Sequence, residues 1–186
     1  YFQPGISSIR ESLYFDIDDM NSRNTILAHE FEHLLHNSRD PFEYLWIDEG
    51  AADMAAYLCF GTTDTLSYHA NEWAQNSSLS VRWWNDRIAD YGAGFLFLMY
   101  ISDKLGGGEA IQRLVADTAV GGSSIENLAI NPEPGSTAIG TTMNDIFANF
   151  SAAVSLDSPQ GVFGFSNLDL TSECNTGSIC KAQLSG

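Results

Sequence analysis

Positive charge is scarce in this sequence. Eight lysines and arginines stand against 24 aspartates and glutamates, for a net charge of −16. Nucleic acid and anionic membrane surfaces would be repelled, so neither is an expected partner. Long apolar runs are missing too: none approaches the roughly 20 residues that a membrane-spanning helix needs. Cysteine is limited to three residues with no CxxC pair, which excludes a thiolate metal site. There is no internal repeat and no visible signal peptide. The opening "YFQPG" reads like the middle of a domain, so an upstream segment is expected.

What is present is a chain of 186 residues, 44% hydrophobic and 12% aromatic, enough for one domain with a real core. Cys174 and Cys180 lie in the polar loop "SECNTGSICK" and can close a small disulfide. Cys59 lies in the apolar run "AAYLCF" and reads as a buried thiol. A late disulfide with an acidic balance points to a secreted or extracytoplasmic location.

Residues 1–20 read as short strands; "SLYFDID" alternates as a strand does. The pattern then predicts a helix over 22–37, with apolar positions at Ile26, Leu27, Leu34 and Leu35 and a cap from Asn21, Ser22 or Asn24. A second helix is expected through "EGAADMAAYLCF", with Asp48 as its N-cap and Gly61 as its stop. Residues 69–88 read as loop and helix around Trp73, Trp83 and Trp84. Further helices are expected over 92–105, 109–118 and 142–154, with "NPEPGSTAIG" as a loop. Residues 1–155 form the expected catalytic domain, and 156–186 a loose, loop-rich tail with one strand.

Histidine is rare as well. The chain has four, and three of them stand in "LAHEFEHLLH", residues 27–36. His29-Glu30-Phe31-Glu32-His33 fits H-E-x-x-H. On a helix, positions i and i+4 are about 400° apart, so both imidazoles leave one face about one turn apart. That is the separation two ligands of one Zn²⁺ need. Glu30 falls beside the metal and not on it, placed to take a proton from the attacking water. His36 lies about 10.5 Å along the axis from His29, too far to share a tetrahedral ion with it. It is expected as a core or supporting group. The metzincin pattern fails, since it needs Gly at His36 and a third His at Arg39.

A catalytic zinc wants a third protein ligand and an open position. Glu49, in "WIDEGAAD", follows His33 after fifteen residues, a gap that suits a loop and a returning helix. Asp53, one turn later, can accept the second ring N–H of His29 and fix its tautomer. Gly50, Ala51 and Ala52 permit close approach of the two helices.

Together, "HEFEHLLH", "WIDEGAAD" and "YGAGFLFLMYISDKLGG" resemble the gluzincin clan of zinc peptidases, most closely the hyicolysin-like secreted metallopeptidases. The resemblance covers residues 14 to about 118, and its first two blocks are the specific ones. It implies Zn²⁺ held by His29, His33 and Glu49, with Glu30 as general base. It also implies a mostly helical α+β zincin fold, with the active-site helix packed on a small N-terminal sheet. The implied activity is hydrolysis of peptide bonds in a protein or peptide substrate, as an endopeptidase. Two other readings stay open: a gluzincin aminopeptidase, whose G-x-M-x-N strand has no match here, and a non-catalytic zinc-containing binding or adhesin module. Gluzincin aminopeptidases stabilise the oxyanion with a tyrosine in Y-x-x-G, which Tyr91-Gly92-Ala93-Gly94 matches. His69 is the rival donor, in a setting without a supporting motif. Arg82 and Arg87 are open between a substrate carboxylate and the acidic surface. Asp16, Asp18 and Asp19 hint at calcium, but their loop lacks the Gly and Glu of an EF-hand.

Overall fold

The computed structural model describes residues 22–183 and is mostly helical. Among these described residues seven helices run in order: α1 (Arg23–Arg39), α2 (Leu45–Phe60), α3 (Asp64–Ala74), α4 (Ile88–Leu105), α5 (Gly108–Ala116), α6 (Gly122–Ile130) and α7 (Met143–Leu156). Two short strands, β1 (Leu170–Thr171) and β2 (Ile179–Cys180), pair in parallel. The strands expected over residues 1–20, and with them the N-terminal sheet and the calcium hint, lie outside the described residues. Among the described residues no helix is long and apolar enough to cross a membrane.

α4 is the axis of the molecule. It is apolar on every side, and all of it except Ile88, Tyr91 and Asp103 is buried. A helix of that composition has to be surrounded. α2 and α3 flank it at backbone contact, which glycine makes possible. A Cβ on Gly50 of α2 would lie 2.9 Å from the Gly94 carbonyl group of α4. A Cβ on Gly92 would lie 1.9 Å from the His69 carbonyl oxygen of α3. On the far side, the Phe150 ring of α7 packs against Trp73, Phe97 and Tyr100, at centroid distances of 5.6, 5.2 and 5.8 Å. One ring thus joins α3, α4 and α7.

Gly92→Ala is therefore expected to push α3 off α4. Overpacking of this kind costs about 1–3 kcal/mol. In a chain of this size, the thermal midpoint should fall by roughly 2–4 °C for each kcal/mol. An unchanged midpoint would show that the contact yields freely.

α1 turns a polar face to α2. Its buried residues are Thr25, Glu32 and His36, whereas Leu27, Phe31 and Leu35 are about half exposed. The face turned to α2 is polar because it carries ionisable groups that meet partners there. The start of α2 also differs from expectation. The helix begins at Leu45, one turn early, because Trp46 and Ile47 are buried and extend its packed face. Asp48 is consequently inside the helix and not its N-cap. α6 was not expected from the pattern at all. Cys59 is exposed, which corrects the buried-thiol expectation. It stands in the last turn of α2, where Leu58 and Phe60 also turn outward.

The tail is loop-rich but not loose. The Asp103 carboxylate accepts from the backbone N–H groups of Ser166 and Asn167 at 3.0 and 3.1 Å. Asp157, in the left-handed conformation, accepts from Phe165 and Leu170. Asn71 of α3 accepts from the Cys180 N–H at 2.9 Å and donates to the carbonyls of Asn175 and Ser178. Cys174 and Cys180 form the expected disulfide.

Candidate metal centre

α1 and α2 bring three donor atoms together. His29 Nε2 and His33 Nε2 lie 3.1 Å apart, and Glu49 Oε2 lies 3.2 and 3.4 Å from them. For bonds of about 2.0–2.1 Å in tetrahedral geometry, neighbouring donors lie about 3.3–3.4 Å apart. The three edges therefore fit one tetrahedral cation. The donor chemistry, two imidazoles and one carboxylate, suits zinc. Two ring nitrogens this close, both directed at one carboxylate oxygen, are suited to sharing a positive ion.

Each imidazole is held from behind. His29 Nδ1 lies 2.9 Å from Asp53 Oδ1, as the spacing led us to expect. His33 Nδ1 lies 3.2 Å from Asp48 Oδ2. Each aspartate also reaches another histidine. Asp53 Oδ2 is 2.8 Å from His69 Nδ1, and Asp48 Oδ1 is 3.1 Å from His36 Nδ1. All four histidines of the chain thus join one network. A carboxylate accepting from Nδ1–H leaves the Nε2 lone pair free to ligate.

The electrostatics favour positive charge. Burial pulls the His29 imidazolium down, but Asp53 and Glu49 outweigh it and hold the group at about 9. His33 is likewise lowered by burial and then lifted to about 10 by Asp48 and Glu49. Burial alone would raise Glu49, Asp48 and Asp53, yet their histidine partners keep all three below the usual carboxylate range. Glu32 behaves oppositely: burial raises it to about 7, against the pull of His36.

Glu30 follows His29 on α1 and is half-buried, with no hydrogen bond or ion pair among the described residues. Tyr91, in the first turn of α4, borders the site. Its ring centroid is 6.5 Å from that of His29, 5.2 Å from His69 and 4.8 Å from Trp84. Its hydroxyl lies 3.5 Å from Asp86 Oδ1. Burial, aided by the negative charge of Glu49 and Asp86, pushes this phenol well up, so it stays a donor. Arg87 is committed to Asp90 by a forked contact at the start of α4, with Nη2 to Oδ1 at 2.6 Å. Arg82 is exposed.

Three site residues escaped the sequence reading of the centre. Asp48 was expected as a cap, His69 entered only as a rival donor without a supporting motif, and Glu32 was given no role. A usable signal was the scarcity of histidine itself: with only four in the chain, a fourth on a helix beside aromatic residues invites a place in the same network. No protein-family model and no curated protein matches the chain. Its function has to be argued from the site.

Proposed function

We propose that this chain is a zinc-dependent peptidase that cleaves peptide bonds within a polypeptide, and that it works outside the cytoplasm. The observation that carries the reading is the triangle of His29 Nε2, His33 Nε2 and Glu49 Oε2, with Glu30 adjacent to one corner and without a hydrogen bond or ion pair among the described residues. A bound Zn²⁺ supplies Lewis-acid polarisation and makes water a usable nucleophile near neutral pH. The protein's own groups do the rest. Glu30 accepts the proton of the attacking water and returns it to the departing amine. Asp53 holds the His29 ring in the tautomer that presents Nε2, and Asp48 offers its carboxylate to His33 Nδ1 at 3.2 Å. Tyr91, kept protonated, donates to the oxygen on which charge develops. The Cys174–Cys180 disulfide supports an oxidising location.

The test is metal analysis of the purified protein, together with cleavage of a denatured general substrate with and without a chelator. Bound zinc, cleavage lost on chelation and cleavage restored by Zn²⁺ are expected. Bound zinc without cleavage under any condition would favour the binding-module reading.

Asp53 supplies a further expectation. It is 1% exposed and serves two histidines. Asp53→Asn keeps the shape but weakens both contacts, so zinc affinity should fall by about 10–100-fold. Competition with a coloured chelator measures this, and wild-type affinity in the variant would remove Asp53 from the account.

A further inference from the structure

Aromatic rings from α3, α4 and the loop between them line one side of the metal centre. The Tyr91 ring, next to that of His29, is also in contact with Trp84, at 4.8 Å between centroids, and with His69, at 5.2 Å. Tyr68 continues the wall beyond His69 at 6.4 Å and is 54% exposed. Trp84 and Tyr91 meet at an interplanar angle of 67°, so they form a corner and not a flat stack. Trp84 is braced against the core from behind and only partly buried. The proposed chemistry uses one hydroxyl of this wall and none of its ring faces.

Asp86 stands at the same corner. It is exposed, and its Oδ1 lies 3.5 Å from the Tyr91 hydroxyl. The arginines of its own loop leave it without a cation: Arg87 is forked onto Asp90, and neither Arg82 nor Asp86 makes an ion pair among the described residues. When Tyr91 turns its hydroxyl to the oxyanion, Asp86 gives up that contact as well. Ring faces and a free carboxylate share one preference, for positive charge. A net charge of −16 draws cationic segments towards the molecule. An acidic side chain would be repelled by Asp86, and an aromatic one would leave that carboxylate without a partner. We infer that Trp84, Tyr91 and Asp86 form a subsite for a lysine or arginine side chain of the substrate, beside the bond to be cleaved. The inference deepens the peptidase reading and rests on it for the nature of the ligand.

Blocked hexapeptides that differ only in carrying lysine, norleucine or phenylalanine beside the central bond provide the test. Norleucine matches the apolar stem of lysine and lacks its charge. With the zinc-loaded protein, kcat/KM should favour lysine over norleucine by about tenfold, as a cation–π contact with a carboxylate beside it would give. Most of that ratio should vanish in Asp86→Asn and in Trp84→Leu, with circular dichroism confirming that both are folded. Equal rates for lysine and norleucine, a preference for phenylalanine, or a ratio that survives Asp86→Asn would overturn the subsite. Fluorescence titration of zinc-loaded Glu30→Gln with the same peptides reads the preference without turnover. Tighter binding of lysine peptides that the unaltered chain never cleaves would overturn the peptidase reading and keep the subsite. Cleavage without preference would do the reverse.

Discussion

Glu30→Gln is expected to keep its zinc and lose a factor of about 10²–10⁴ in kcat, the usual contribution of a general base. The structure gives Glu30 no other occupation. It makes no ion pair and no hydrogen bond among the described residues, although it stands next to His29 on α1. Glutamine is nearly isosteric, so α1 and its contacts with α2 should survive. The amide cannot accept the water's proton, and that is the one function removed. Zinc content, measured alongside turnover, separates the two effects. Full zinc occupancy with normal turnover would show that another group is the base.

The parts of this site that were legible in the sequence are those set by short-range geometry. His29 and His33 are one helical turn apart, and so are Glu49 and Asp53, so the helical repeat alone places each pair on a common face. The loop between them is short enough to force a meeting. What was not legible depended on partners distant in sequence. His69 joins through Asp53, sixteen positions away, because Gly92 lets α3 press onto α4. Nothing near His69 announces that contact. Asp48 was hidden by its own plausibility as a cap; only the burial of Trp46 and Ile47 shows that the helix starts earlier. His36 was legible as a core or supporting group, and it is buried beside Asp48; Glu32 was not, for a related reason. Periodicity assumes that the apolar face of a helix is the buried one, and on α1 the buried face is ionisable.

Tyr91→Phe should lower kcat and kcat/KM together by about 10²–10³, with KM little changed, the loss expected when one oxyanion donor is removed. The ring is held in place independently of its hydroxyl, between Trp84 on one side and His69 and His29 on the other. Phenylalanine should therefore occupy the same position with little cost in stability. The hydroxyl itself rests at 3.5 Å from Asp86 Oδ1, a long and weak contact that is easily exchanged for a better acceptor. Asp86 is exposed and open to solvent, which can replace the tyrosine as its partner. A bond that forms mainly in the transition state changes turnover without changing ground-state binding. A tyrosine with only a packing role would leave kcat near its original value. If Tyr91→Phe turns over normally, the role passes to His69. That ring is 5.2 Å from the tyrosine's, its Nδ1 is fixed by Asp53, and its Nε2 makes no hydrogen bond among the described residues. His69→Ala in the same assay would then carry the loss, and a normal rate in both variants would place oxyanion stabilisation elsewhere in the site.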